Sequence, residues 1–108
     1  MKGKIALEEH FAVDETLEGS LGVFPADLWP EITSRLTDRN ERRIRLMDEY
    51  GIETMILSLN APAIQSVPEA PKAAELAQRT NDFLAEQIHN QPDRYQGFAA
   101  LPMQDPDL

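Results

Sequence analysis

The chain has 108 residues, 42% of them apolar and 27% charged, and a formal net charge of −9. That size fits one domain with a modest core, and the balance is globular, not disordered. The acidity argues against a nucleic-acid surface and against adhesion to anionic lipid, while the lack of cysteine excludes disulfides and thiolate ligands.

At the N-terminus the apolar run Ile5-Ala6-Leu7 breaks at Glu8, unlike a signal peptide. No segment approaches the ~20 apolar residues of a membrane span. A soluble, cytoplasmic protein is expected. Lys4–Phe11 reads as a strand, with Ile5, Leu7 and Phe11 on one face and Ala6, Glu8 and His10 on the other. Residues 12–30 read as a long loop, rich in turn-formers (Gly19, Ser20, Gly22, Pro25, Pro30) with apolar residues between them. Such a loop is either a functional lid or a packed cover. Residues 31–50 read as helix, broken near Asp38, with Ile32, Leu36, Arg43 and Met47 in one stripe and Gly51 as a left-handed stop.

Residues 54–59 (Thr-Met-Ile-Leu-Ser-Leu) form the short apolar run of a buried parallel strand. Residues 60–71 carry Pro62, Pro68 and Pro71 without helical period and read as loop. Residues 72–90 make the clearest helix, with Ala73, Leu76, Ala77, Phe83, Leu84 and Ile88 on one face, ended by Pro92-Asp93. Phe98-Ala99-Ala100-Leu101 reads as a third strand beginning near Tyr95. Asp105-Pro106 reads as the N-cap and first position of another helix. Strands alternating with helices predict a parallel α/β sheet with right-handed crossovers. Because Leu108 falls where the next helix would run, the expectation is a segment of a longer protein, truncated at its C-terminal end.

Glu8-Glu9-His10 carries the chemistry. Two apart on a strand, Glu8 and His10 share a face, and a carboxylate oxygen with an imidazole nitrogen suits zinc or manganese. The spacing equally allows the two to pair with each other or with a neighbour at a strand end. Facing a barrel interior, two ionisable groups need a strong partner, and a metal at the C-terminal mouth meets that need. Glu9 points away. His89 reads as a solvated residue near a helix end, and Arg42-Arg43-Ile44-Arg45 as a solvated helix face. Asn60-Ala61-Pro62-Ala63 follows the second strand at the same mouth, as a turn or a substrate-contacting wall; Ser20 to Phe24 is a lid or a packed loop. There is no glycine-rich phosphate loop and no nucleophile elbow.

Three blocks carry a family resemblance. Gly3-Lys4-Ile5-Ala6-Leu7-Glu8-Glu9-His10-Phe11 resembles the opening of γ-resorcylate (2,6-dihydroxybenzoate) decarboxylases in the amidohydrolase superfamily. Gly51-Ile52-Glu53-Thr54-Met55-Ile56-Leu57-Ser58-Leu59-Asn60-Ala61-Pro62 and Phe98-Ala99-Ala100-Leu101-Pro102-Met103-Gln104-Asp105-Pro106 resemble two further stretches. The resemblance implies that residues 1–108 are the N-terminal segment of a single (β/α)8 barrel. It also implies reversible, non-oxidative loss of carbon dioxide from a small aromatic acid, with no organic cofactor, in a homotetramer. It assigns Glu8 and His10 as metal ligands and His10 as catalytic; Ser20, Phe24, Asn60, Ala61 and Pro62, from their place on the rim loops, are the expected substrate contacts. A further His, and an Asp that donates the proton, would lie beyond Leu108. Hydrolytic members usually carry His-x-His on strand one, and 2,3-dihydroxybenzoate decarboxylases tend to lack the His, so Glu8-x-His10 points to the 2,6-dihydroxy substrate. One departure is that the family commonly has an aromatic right after the glycine matching Gly22, where this chain has Val23 and then Phe24. Beside the decarboxylase stand two other expectations: a hydrolase such as a lactonase on the same barrel, or a segment that only packs on a partner.

Overall fold

The computed structural model describes residues 3–38 and 40–108. Strands β1 (Lys4–Phe11), β2 (Ile52–Leu59) and β3 (Tyr95–Gly97) form a parallel sheet in the order β1-β2-β3. Between β1 and β2 run helices α1 (Asp14–Leu17), α2 (Trp29–Leu36) and α3 (Glu41–Tyr50), and α4 (Ala70–Asn90) leads from β2 to β3. Met47 of α3 and Leu84 of α4 meet Phe11, Met55, Leu57 and Tyr95 in one apolar cluster, so both helices cover the same sheet face. Burying a side chain such as Met47 is worth about 1.5–3 kcal/mol. A second cluster, Ile64, Ala73, Leu76 and Ala77, lies where α4 meets the loop after β2. Ile5 and Leu7 stay exposed.

The alternation expected for β1 fails midway. Ala6 pairs with Met55 and Glu9 with Leu57, so β1 advances from 6 to 9 while β2 advances only from 55 to 57. The extra residue is a bulge, and it reverses the faces. Phe11 turns into the core, whereas Ile5 and Leu7, expected beside it, do not.

Residues 31–50 are two helices parted around Asp38. Its carboxylate accepts hydrogen bonds from the backbone N–H groups of Arg42 (3.2 Å) and Arg43 (2.8 Å), satisfying two free donors at the start of α3. Asn40 between them is left-handed, with φ of 91°. Glu31 rejoins the halves by accepting from Arg42 (2.8 Å) and Arg35 (2.9 Å), and these guanidiniums hold its carboxyl below the usual carboxylate range. Elements also start earlier than the sequence suggests: α2 at Trp29 with Pro30 in its first turn, β2 at Ile52, and α4 at Ala70.

The two long loops contain local structure that their sequence does not betray. In the first, α1 and a 3₁₀ turn (Glu18–Ser20) form around Thr16. The Thr16 hydroxyl donates to the Val13 carbonyl (3.1 Å) and accepts from the Val13 N–H (3.2 Å). The second holds a 3₁₀ turn at Ala63–Ser66.

The third strand starts at Tyr95, as expected, but ends at Gly97 and does not run through residues 98–101. The Phe98 N–H still donates to Leu57 (3.0 Å), but then Asn81 intervenes. The Ala100 N–H donates to Asn81 Oδ1 (2.8 Å), and Asn81 Nδ2 donates to the Ala100 carbonyl (2.9 Å). A side-chain amide thus replaces the sheet ladder, and the chain leaves the sheet. Asp105-Pro106 opens a turn, with the Asp105 carboxylate accepting from the Asp107 N–H (3.0 Å) and its carbonyl from the Leu108 N–H (3.2 Å). Among the described residues no helix is long and apolar enough to cross a membrane.

Tyr95 is only 1% exposed. Burial pushes its phenol above the ordinary value of 10.0, with Arg43 opposing, Asp38 reinforcing and Arg94 opposing. The folded state therefore favours the neutral ring. That contribution is complete below the unfolded value of about 10 and is lost as pH rises through the folded value. Urea unfolding between about pH 9 and pH 12 should show a steeper alkaline loss for the wild type than for Tyr95→Phe. Equal slopes would exclude burial of the phenol as the cause.

Candidate metal centre

Parallel strands put the C-terminal ends of β1, β2 and β3 on one rim, and the candidate residues gather along it. His10 stands beside Ser58 in the register. The Glu8 and His10 side chains are 84% and 47% exposed, with Glu8 Oε1 and His10 Nε2 3.9 Å apart. That distance is at ion-pair reach but beyond hydrogen-bond length, so no hydrogen bond between them occupies their ligand atoms. Two donors bound to one ion at about 2.1 Å each lie roughly 3.0–3.5 Å apart, and a small side-chain rotation closes the difference. The pair therefore fits a divalent cation as part of its ligand set. Among the described residues no three His, Asp or Glu side chains converge, so these two donors are what this stretch offers. Glu9 pairs with Leu57, on the opposite side of the strand from His10.

Ser20 and Asn60 are brought together in a buried knot that the backbone of exposed Ala61 joins. Asn60 Nδ2 donates to the Thr16 carbonyl (2.9 Å) and to Ser20 Oγ (2.7 Å), and Ser20 Oγ donates to the Ala61 carbonyl (2.5 Å). Ser20 and Asn60 are both buried. Pro62 follows through a cis peptide and presses on Gly19, where an added Cβ would come within 3.4 Å of Pro62 Cγ. Phe24 stands apart from this knot: its ring stacks on Trp29 at the entry to α2, with centroids 6.2 Å apart. The arginine run has the acidic neighbour expected of it, Arg42 pairing with Glu31, while Arg43 Nη2 donates to the Arg35 carbonyl (2.9 Å).

Residues that shape the rim went unnoticed in the sequence. Gln104 Nε2 donates to the carbonyls of Ile64 (2.6 Å) and Val67 (2.8 Å), and Gln65 Nε2 donates to that of Leu101 (2.9 Å). Gln65 and Gln104 lace loop to loop, and Asn81 ties α4 to the segment after β3, each through a single side-chain amide that leaves no periodic signal in the sequence.

No family model matches the chain. It is 65% identical over 108 residues to a γ-resorcylate decarboxylase of Polaromonas sp. strain JS666, covering 100% of this chain and 33% of that protein. The crystal structure of a dihydroxybenzoic acid decarboxylase from Polaromonas sp. JS666, with bound manganese and the inhibitor 2-nitroresorcinol, matches with a TM-score of 0.95 and 64% identity. The match covers 99% of this chain and 32% of that one. A 2,6-dihydroxybenzoate decarboxylase complexed with 2,6-dihydroxybenzoate matches with a TM-score of 0.95 and 59% identity, over 99% of this chain and 33% of that one. The fold is accordingly a parallel β/α segment of their barrel. By sequence and by structure, the chain is related from end to end to the γ-resorcylate decarboxylases of the amidohydrolase superfamily, and it spans about a third of the length of the relatives it matches.

Proposed function

We propose that residues 1–108 are the N-terminal segment of a single (β/α)8 barrel whose complete protein decarboxylates a hydroxylated aromatic acid, 2,6-dihydroxybenzoate, to resorcinol. The observation that carries this reading is the Glu8–His10 pair on the rim where the parallel strands end, with its two ligand atoms 3.9 Å apart. Active sites of parallel barrels lie on that rim. The relatedness to proteins named for the 2,6-dihydroxy acid supports the choice of substrate.

A divalent ion held there supplies Lewis acidity towards the substrate carboxylate and the adjacent phenolic oxygen. Glu8 contributes negative charge and His10 a neutral nitrogen, and together they fix where the ring sits. The ortho hydroxyls make the carbon bearing the carboxylate electron-rich. That carbon takes up a proton from a donor outside these residues, its bond to the carboxylate breaks, and aromaticity returns as carbon dioxide leaves. The 108-residue segment alone, with two ligand side chains, does not turn over. Manganese is the favoured ion over zinc, on the precedent of the Polaromonas structure. The proposal includes a homotetrameric, cytoplasmic enzyme without an organic cofactor.

Incubation of the complete, manganese-loaded protein with 2,6-dihydroxybenzoate should release carbon dioxide and resorcinol in equal amounts. Lactone hydrolysis without carbon dioxide release would replace this reading with the hydrolase one.

A further inference from the structure

Asn60, the residue after β2, is 6% exposed and touches the chain at several separated points. Its backbone N–H donates to the carbonyl of Phe11 (2.9 Å), the residue after His10. Its side-chain amide donates to the Thr16 carbonyl and to Ser20 Oγ, and Ser20 Oγ in turn donates to the Ala61 carbonyl. The end of β1, the α1 turn and the start of the second loop are thereby closed into one ring of hydrogen bonds.

The donors of Asn60 are spent inside the protein, which argues against direct substrate contact through its amide nitrogen. Aspartate has the same outline but no N–H to offer, and it would set a carboxylate against the Thr16 carbonyl oxygen. Leaving those buried acceptors unpaired is costly.

We propose that Asn60 is a positioning residue for the Glu8–His10 centre. Its side chain clamps Thr16 and Ser20 of the first loop to the end of β2, where its backbone N–H already holds Phe11, so that the chain just after His10 is fixed and the imidazole keeps one orientation. The clamp stands on the hydrogen bonds alone; its consequence for metal rests on the function proposed above.

The test compares the complete wild-type protein with Asn60→Ala. Hydrogen–deuterium exchange at residues 11–21 should rise roughly tenfold, while the amides of α4 keep their wild-type rates. Manganese affinity, measured by titration calorimetry, should fall about tenfold, as for a lost support of a ligand. In turnover, kcat should fall while KM for 2,6-dihydroxybenzoate changes by less than about twofold. Unchanged exchange at residues 11–21 overturns the clamp. Faster exchange across the whole protein with wild-type manganese affinity overturns the positioning role, since that is the signature of general loosening. If Asn60→Ala fails to fold, Ser20→Ala carries the test, with a smaller rise in exchange confined to the same residues. A wild type that releases no carbon dioxide removes the decarboxylase reading, while the exchange measurement still decides the clamp.

Discussion

His10→Ala in the complete protein should lose bound metal and carbon dioxide release together while its fold persists. His10 takes no part in either apolar cluster, so truncating it removes nothing from the packing of α3 and α4 on the sheet. The chemistry has no such tolerance. Glu8 alone offers one ligand side chain from β1, and a barrel that must hold its cation with fewer donors loses occupancy. If the bound ion supplies about 4 kcal/mol of charge stabilisation, its loss is roughly a 10³-fold fall in rate. Metal content by mass spectrometry, carbon dioxide release and far-ultraviolet circular dichroism read the three quantities separately. Retained manganese with normal turnover would sink the assignment of His10. An unfolded variant would instead show that the residue carries a structural load that its exposure does not suggest.

The parts of the fold that were legible are those with a local period. Helix α4 announces itself through Ala73, Leu76, Ala77 and Leu84, all of them buried. The break at Asp38 is legible too, because an acidic residue there can cap the start of α3, as its bonds to Arg42 and Arg43 show. The bulge in β1 was hidden, since a period of two has no way to register an extra residue that only a neighbouring strand reveals. The end of β3 was hidden for a related reason. Phe98-Ala99-Ala100-Leu101 is apolar enough for a strand, yet Asn81, 19 residues away, takes the hydrogen bonds of Ala100.

The candidate site divides in the same way. Glu8 and His10 lie two apart, so their juxtaposition is a local property, and it survives because the bulge between Ala6 and Glu9 leaves both on the exposed side. The ring around Asn60 joins residues separated by 40 to 44 positions, and such a closure leaves no pattern in either segment. Ser20, Asn60 and Ala61 follow strand ends, which is the place of a substrate wall. The geometry gives Ser20 and Asn60 buried partners in one another.

Leu84→Ala should destabilise the protein by about 2–5 kcal/mol, the range for emptying a packed leucine site. Leu84 is 5% exposed and belongs to the cluster that joins α4 to the sheet. Its neighbour across the gap is Gly97, the last residue of β3. A Cβ built there would lie 2.6 Å from Leu84 Cδ2 and 3.1 Å from Cδ1 and Cγ. Gly97 is not among the glycines with positive φ, so alanine meets no backbone penalty and the whole cost of Gly97→Ala is overpacking, about 1–3 kcal/mol. The two changes oppose each other in space. In the double variant the new methyl enters room that Leu84 has left, and the combined loss should fall short of additivity by about 0.5–3 kcal/mol. Urea unfolding of the four proteins measures this coupling. Strict additivity would mean that α4 or β3 moves to absorb each change independently. Both residues lie on the helix-covered face, away from Glu8 and His10, so manganese content should stay at the wild-type level throughout; a fall in metal would show that packing under β3 reaches the rim.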